Sequence, residues 1–224
     1  MIKLCISGSK GKMGSRISAL AKEDPEFEVS GEFDLGTDAE PLIEGCDCLI
    51  EFTSPQATIE HLAICRKLGK AMVIGTTNLS GAEIEKVKEA AADIPVVLSP
   101  NMSVGVNLLF KIIRESAKVL GPDYEASIIE AHHVQKKDAP SGTAKELARI
   151  IKESRGGLDV PIDSVREGEI VGEHTVAFES DSDLIEITHS AKTRDIFVKG
   201  ALKAAKFLAG KPAGLYTMKD VLGF

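Results

Sequence analysis

Aromatic side chains are scarce in this chain of 224 residues, which has no tryptophan and only two tyrosines. Proteins that bind single-stranded nucleic acid stack bases on aromatic rings, so the composition argues against that class. The formal net charge of -7 argues the same way, because nucleic acids and anionic membranes attract basic surfaces. No apolar run approaches the length of a membrane span. We therefore expect neither a nucleic-acid partner nor a membrane.

The four cysteines lack the spacing of a structural metal site. Cys46 and Cys48 form one close pair, but no second pair follows at zinc spacing, so no metal is expected. Cys5 and Cys65 lie within apolar patterns that are typical of small core residues. No signal peptide is expected, because the first predicted strand already begins at Ile2. These features predict a cytoplasmic protein with reduced thiols.

The first hundred residues alternate between predicted strands and predicted helices. Such alternation predicts a parallel, doubly wound α/β sheet of the Rossmann type. Ligands of these sheets bind outside the carboxyl ends of the strands. The loops expected at those ends are rich in glycine, hydroxyl groups or amides, and they cover residues 8–14, 34, 52–55, 75–77 and 99–102.

A glycine-rich loop joins the first predicted strand to the first helix. Gly8, Gly11 and Gly14 let the backbone approach a pyrophosphate at a helix N-terminus, although the same spacing also suits a simple turn. Asp34 ends the second strand about 20 residues later, where a ribose-binding carboxylate is expected; it is alternatively a turn residue. A carboxylate repels a 2′-phosphate, and Leu35 follows it in place of an arginine. The pattern therefore predicts NADH, with NADPH possible but less favoured.

A basic stretch with two adjacent histidines lies in the second half of the chain. His132, His133 and Lys136 follow a predicted strand, and Ser141 and Gly142 suit the start of a helix. Proton donors and cations thus come close to free backbone N–H groups. This combination suits a site that binds a small anion and delivers a proton, whereas the alternative is a solvated basic loop.

The pattern of elements changes after the long helix predicted at 104–120. Short alternating segments at 162–171, 173–179 and 183–189 predict antiparallel strands, and therefore a second domain of α+β type with a mixed or antiparallel sheet. An open sheet needs a cover, which a second copy of the chain can provide. The predicted division is residues 1–103 for dinucleotide binding, 104–194 for substrate binding and oligomerisation, and 195–224 as a C-terminal segment that returns to the first domain.

Four motifs together resemble the dihydrodipicolinate reductase family, also called 4-hydroxy-tetrahydrodipicolinate reductase. They are Gly8-x-x-Gly11-x-Met13-Gly14, Gly75-Thr76-Thr77, Asn101-x-Ser103-x-Gly105-x-Asn107 and Glu130-x-His132-His133-x-x-Lys136-x-Asp138-Ala-Pro-Ser-Gly-Thr143. The last motif is specific, whereas the glycine loop is not. The resemblance implies a nucleotide-binding domain and a sheet domain that forms a homotetramer. The chain is short for the family, and Leu35 and Ser54 replace arginines of some members.

The resemblance also implies a role for individual residues. His132 and Lys136 would form the catalytic pair, with Lys136 favoured as the proton donor and His132 either an acid/base or an orienting group. Substrate carboxylates would be bound by His133, Ser141, Gly142 and Thr143. The cofactor would be bound by Gly8, Ser9, Lys10, Gly11, Lys12 and Met13 at its pyrophosphate, by Asp34 at its ribose, and by Phe52, Gly75, Thr76, Thr77, Ser99, Pro100, Asn101 and Met102. Because His61, His174 and His189 stand alone in the sequence, they are interpreted as structural.

The implied reaction is the reduction of a small cyclic dicarboxylate, 4-hydroxy-tetrahydrodipicolinate, in the diaminopimelate route of lysine biosynthesis. Two other functions remain open. Another two-domain dehydrogenase, such as one acting on aspartate, would share the glycine loop but not the His-His-x-x-Lys block. A regulator that senses NADH without turnover would not need a proton donor.

Overall fold

The computed structural model describes residues 1–157 and 159–224, which form two compact units. Unit 1 comprises Met1–Val104 and Phe197–Phe224, and unit 2 comprises Gly105–Ile196. The chain therefore leaves unit 1 once and returns to it. Within the described part of the chain, no helix combines the length and the apolar character needed to cross a bilayer.

Unit 1 is built on a parallel sheet of six strands. The strands are β1 (Ile2–Ser7), β2 (Phe27–Phe33), β3 (Cys48–Glu51), β4 (Ala71–Ile74), β5 (Pro95–Leu98) and, near the C-terminus, β10 (Gly214–Tyr216). Their order is β10-β5-β4-β3-β1-β2, and every described pair runs parallel. The predicted doubly wound sheet is confirmed. Its carboxyl edge brings together the ends of β1, β2, β3, β4 and β5.

Helices cover both faces of this sheet. They are α1 (Lys12–Glu23), α2 (Glu40–Glu44), α3 (Pro55–Leu68), α4 (Gly81–Ala91), α7 (Asp195–Leu208) and α8 (Met218–Leu222). Successive strand residues point to opposite faces, so Leu4 and Ile6 pack with α1 and α7 while Cys5 packs with α3 and α4. A Cβ on Gly200 would lie 1.7 Å from the Met102 carbonyl oxygen, so α7 packs closely against the segment that follows β5.

Unit 2 contains a mixed sheet of four strands. Its elements are α5 (Val104–Leu120), a 3-10 helix (Gly121–Asp123), β6 (Glu125–His132), α6 (Gly142–Ser154), β7 (Ile162–Arg166), β8 (Glu173–Glu179) and β9 (Leu184–Ser190). The order is β7-β6-β8-β9, and β8 is antiparallel to both neighbours. The predicted α+β unit with a mixed or antiparallel sheet is confirmed, and the sheet is mixed. The segment at β7 is not antiparallel as expected, because β7 runs parallel to β6. Helix α6 connects these two strands, and a helical crossover returns the chain in the same direction.

The two faces of the unit 2 sheet have different surroundings. One face packs against α5 and α6, with Ile128, Val176 and Phe178 in the core. The opposite face carries Ile129, which is 49% exposed, and Val165, which is 40% exposed. Strand alternation therefore produces one buried face and one face with exposed apolar side chains.

Candidate active site and cofactor edge

The glycine-rich loop of unit 1 has the form of a phosphate-binding turn. Gly8 adopts φ +66, a left-handed conformation that favours glycine. A Cβ on Gly14 would lie 2.2 Å from the Gly8 carbonyl oxygen, so α1 begins directly over the loop. The N-cap of α1 is Gly11, and no side chain caps the helix. The first-turn N–H groups are therefore directed out of the helix end, where an anion binds most favourably.

Asp34 lies beside the same loop, at the end of β2. Its Oδ1 accepts the N–H of Leu35 at 2.8 Å, and its Oδ2 accepts the N–H of Lys10 at 3.0 Å. These hydrogen bonds, that from Leu35 first, lower the pKa of Asp34, so the carboxylate is ionised at neutral pH. The Leu35 side chain is 100% exposed and offers no positive charge. This position can accept hydrogen bonds from ribose hydroxyls but repels a phosphate.

The other predicted cofactor residues follow β3, β4 and β5. A Cβ on Gly75 would lie 2.2 Å from the Phe52 ring, so only glycine allows these two loops to approach. The buried Thr76 hydroxyl accepts a hydrogen bond from Thr58 at 2.8 Å. The Ser99 hydroxyl shapes the next loop by donating to a backbone carbonyl at 2.8 Å. The residues at this edge are Phe52, Gly75, Thr76, Thr77, Ser99, Pro100, Asn101 and Met102. With the glycine cradle and the ionised Asp34, this donor set fits a dinucleotide.

A buried acid–histidine pair lies in unit 2, at the end of β6. Glu130 has no exposed surface, and its Oε2 forms a short hydrogen bond with Nδ1 of His132, which is 8% exposed. The two residues share a face because they are two positions apart in the strand. The strand ends at His132, so the side chain of the next residue, His133, need not point to the opposite face of the sheet.

Arg166, the last residue of β7, holds this pair and the loop that follows it. Its Nη2 donates to Oε1 of Glu130 at 2.8 Å and to the carbonyl of Asp138 at 2.6 Å. Its Nε donates to the carbonyl of Lys136 at 3.3 Å. Sequence reasoning missed this arginine. The parallel register, which sets His132 opposite Arg166, brings it into the site.

The charges of the pair follow from these contacts. Burial raises the pKa of Glu130, but hydrogen bonds from Arg166, Ser164 and His132 outweigh burial and lower this pKa to about 2. Burial also lowers the pKa of His132 by more than Glu130 raises it. At neutral pH the carboxylate is ionised and the imidazole is neutral, so Nδ1 carries the shared proton and Nε2 is an acceptor.

Ser141 links the start of α6 to this cluster. Its Oγ accepts the N–H of Ala144 at 3.2 Å, and its own N–H donates to Oε1 of Glu130 at 3.3 Å. The same Oγ lies 3.1 Å from Nε2 of His174, whose ring packs edge-on against His132 with centroids 5.2 Å apart. His174, which stands alone in the sequence, is therefore part of this cluster in the fold. It faces Glu130 across the β6–β8 pair, which no local pattern could indicate.

Three buried residues of this cluster offer metal-type donor atoms. Single atoms of Glu130, His132 and His174 lie within 4.8 Å of one another. A cation there would compete with the Arg166 guanidinium, which already neutralises the carboxylate. The donor set therefore suits a hydrogen-bonded cluster better than a metal centre.

The predicted substrate residues occupy the segment between β6 and the first turn of α6. Nζ of Lys136 donates to Oδ1 of Asp138 at 2.8 Å, and this bond lowers the pKa of Asp138. The Lys136 side chain is 23% exposed, so its ammonium group can be reached by a ligand. Nδ1 of His133 is buried and has no hydrogen-bond partner within the described residues. Gly142 and Thr143 are the first two residues of α6.

Comparisons with known proteins agree with the resemblance in the sequence. Models described as the N-terminus and the C-terminus of dihydrodipicolinate reductase match residues 2–102 and 105–222. The 4-hydroxy-tetrahydrodipicolinate reductase of Geobacter metallireducens is 39% identical over 264 aligned positions, covering 100% of this chain and 99% of that protein.

Solved structures show where the same fold occurs. A dipicolinate-bound dihydrodipicolinate reductase from Paenisporosarcina sp. TG-14 superposes with a TM-score of 0.85 at 23% identity, covering 97% of each chain. An aspartate dehydrogenase from Thermotoga maritima has a TM-score of 0.53 at 14% identity, covering 95% of this chain and 98% of that one. These structural likenesses concern the fold. The sequence matches span nearly the whole chain, and by them the chain belongs to the dihydrodipicolinate reductase family.

Proposed function

We propose that the protein reduces 4-hydroxy-tetrahydrodipicolinate to tetrahydrodipicolinate, with NAD(P)H, in the diaminopimelate route of lysine biosynthesis. Its relatives are named for this reductase, and the match covers nearly their whole length. One observation supports the chemistry most directly. Arg166 donates to Glu130 and to the backbone carbonyls of Lys136 and Asp138, and Ser141 donates to Glu130. One network of hydrogen bonds therefore joins the Lys136–Asp138 segment, the Glu130–His132 pair and the N-terminus of α6.

Lys136 is the proton donor in this proposal. When bound, the dinucleotide would supply a hydride. The substrate loses its hydroxyl group as water, and addition of the hydride to the resulting conjugated double bond leaves an anion that must gain a proton. Lys136 Nζ carries protons and is held at 2.8 Å from Oδ1 of Asp138. His132 is neutral and commits its Nδ1 proton to Glu130, so it suits the orienting role better.

Substrate carboxylates are assigned to His133, Gly142 and Thr143. The N-terminal turn of α6 attracts anions through its N–H groups and its dipole. Ser141 uses its N–H on Glu130 and its hydroxyl at Ala144 and His174, so it contributes by shaping this turn. In this assignment unit 1 binds the dinucleotide and unit 2 binds the substrate.

NADH is the proposed cofactor, with NADPH less favoured. An ionised Asp34 accepts hydrogen bonds from the ribose and repels a 2′-phosphate. Leu35 and Ser54, which stand where some members of the family carry arginines, add no positive charge to offset this repulsion. We also propose a cytoplasmic homotetramer that assembles through the open face of the unit 2 sheet.

The test is the loss of NADH absorbance with freshly generated substrate, repeated with NADPH. We expect Lys136→Ala to lower kcat by about 10²–10⁴-fold, the usual contribution of a positioned acid, with unchanged NADH affinity. We expect His133→Ala to raise mainly the KM for substrate. Lys137→Ala is the matched control, since this neighbouring lysine is exposed and has no assigned role.

The outcomes separate the alternatives. Turnover of aspartate instead of the cyclic substrate would support another dehydrogenase. Saturable NADH binding without any turnover would support a sensor. Equal loss of NADH binding in the Lys136 and His133 variants would contradict the assigned roles, and higher catalytic efficiency with NADPH would contradict the role of Asp34.

A further inference from the structure

A second buried carboxylate lies in unit 1, and the proposed chemistry does not use it. Glu51 ends β3 and has no exposed surface. Its Oε2 lies 2.6 Å from Nδ1 of His61, and its Oε1 accepts the N–H and the hydroxyl of Thr53, the former at 2.9 Å. A buried carboxylate is unfavourable unless it is paired, so this pair is maintained by specific contacts. His61, which stands alone in the sequence, is thus paired in the fold.

His61 contacts the ends of three neighbouring strands. It comes from α3 and pairs with Glu51 at the end of β3. Its Nδ1 also lies 3.4 Å from Oγ of Ser7 at the end of β1. Its ring packs edge-on against Phe33 at the end of β2, with centroids 5.0 Å apart. Ser7 immediately precedes the glycine-rich loop, and Phe33 immediately precedes Asp34. One imidazole therefore supports both of these cofactor positions.

The Glu51 side of the pair reaches two more loops. A Cβ on Gly8 would lie 2.7 Å from Cγ2 of Thr53, so the residue that Glu51 holds lies directly against the glycine-rich loop. The backbone carbonyl of Glu51 accepts the N–H of Gly75 at 2.9 Å. The Phe52 ring packs on the same glycine. Residues 51–53 therefore touch the loops that follow β1 and β4.

We propose that Glu51 and His61 are positioning residues that hold the cofactor loops at the spacing required by the dinucleotide. The inference rests on the proposed function, because it takes a dinucleotide as the ligand of this edge. The Glu51 side chain is fully buried, so it acts through Thr53 and, by way of His61, on Ser7 rather than by contact with the ligand. Loops that are ordered before binding lose less entropy when the ligand arrives, so the pair should raise affinity. Its effect should be equal for NADH and NADPH, since it does not touch the 2′ position.

The experiment compares His61→Leu with His61→Asn in the full chain. Leucine removes the donor to Glu51, whereas the asparagine amide can replace Nδ1. We expect His61→Leu to raise the Kd of NADH and of NADPH by about tenfold, or about 1.4 kcal/mol. In His61→Asn most of the affinity should return, and kcat at saturating NADH should stay near that of the parent. Should His61→Leu fail to fold, Glu51→Gln keeps the volume while removing the charge and should weaken both dinucleotides in the same ratio.

The control variant is Asp93→Asn, which breaks the ion pair of Arg66 in the last turn of the same helix. It should leave both Kd values unchanged. Thermal unfolding with and without NADH adds a second readout, because a purely structural role would lower Tm equally in both. A positioning role should instead reduce the rise in Tm that NADH produces.

Two results would overturn the inference. One is unchanged affinity in His61→Leu and in Glu51→Gln. The other is an equal loss of affinity in Asp93→Asn. If the parent chain binds and oxidises NADH while the variants bind it as tightly, only this inference fails. If the parent chain binds neither dinucleotide, the proposed function fails with it.

Discussion

His174 is a buried histidine that the fold keeps uncharged. Burial first, and then the neighbouring His132, lower its pKa to about 4. Its Nε2 lies 3.1 Å from the Ser141 hydroxyl, and its Nδ1 is buried without a hydrogen-bond partner in the described part of the chain. Because a proton on this ring would be poorly solvated, protonation is linked to unfolding.

We expect the stability of the protein to decrease between about pH 6.5 and pH 4, partly through this residue. In that window the unfolded chain protonates His174 and the folded chain does not, so acid favours unfolding. The measurement is urea unfolding of the parent and of His174→Gln at several pH values. The free energy of unfolding of the parent minus that of the variant should decrease as the pH falls, by at most about 1.4 kcal/mol per pH unit.

Other titrating groups do not obscure this comparison. His132 and His189 also have lowered pKa values, but both remain in the variant and their contributions largely cancel. The depressed pKa of Glu130 gives stability that is lost as the pH falls from about 4.5 to about 2, mostly below this window, and Glu130 also remains in the variant. A constant difference between parent and variant from pH 7 to pH 4.5 would show that His174 is not kept neutral by the fold.

Helix α6 is anchored at both its start and its buried face. Ser141 caps the helix by accepting the N–H of Ala144, and the Ser141 N–H binds Glu130. Leu147 and Ile151, on later turns of the helix, pack in the core of unit 2. The positive end of the helix dipole is thereby held at the end of β6, where the proposed substrate carboxylate needs it.

Ser141→Ala should lower the free energy of unfolding by about 1 kcal/mol, the typical cost of a lost N-cap. It should also raise the KM for substrate several-fold, because the first turn of α6 loses its fixed orientation. Ser80→Ala is the matched control, since Ser80 caps α4 in unit 1 and forms a capping box with Glu83. The control should lose similar stability with no change in this KM. A similar KM in both variants would contradict the proposed anion site.

The sheet of unit 2 has a face, opposite its core, that carries exposed apolar side chains. Ile129, Val165 and Leu184 are 49%, 40% and 51% exposed, although the opposite face of the same strands is buried. Apolar groups that cluster on one surface commonly mark an interface. This observation supports the proposed homotetramer, in which copies of unit 2 cover each other.

Ile129→Lys should therefore lower the molecular mass measured by light scattering, because a charge at the interface must lose its hydration. Val119→Lys is the control, since Val119 is 84% exposed on α5 and lies outside this sheet face. The control should keep the mass of the parent. A monomer mass for the parent chain in the same measurement would contradict the proposed homotetramer.

Local patterns predicted most elements well, and their failures have physical causes. The bounds of α5 and β8 agree with the segments predicted at 104–120 and 173–179, because periodicity is a property of consecutive residues. Helix α2 has only five residues, too few for a periodic signal, and it was not predicted. The strand predicted at 162–171 ends at Arg166, where the chain turns to bring Ile170 to the backbone of His133.

The sequence by itself determined the doubly wound unit, the glycine-rich loop, the segment from His132 to Thr143 and the family, because each depends on residues that follow one another closely. Only the tertiary structure decided that Arg166 neutralises Glu130 and that His174 reaches Ser141, across 36 and 33 positions of chain. Such contacts arise from strand register, which many residues set together and no local spacing encodes. The charges in the site followed from the same packing, since a buried carboxylate stays ionised only when the fold supplies its cation.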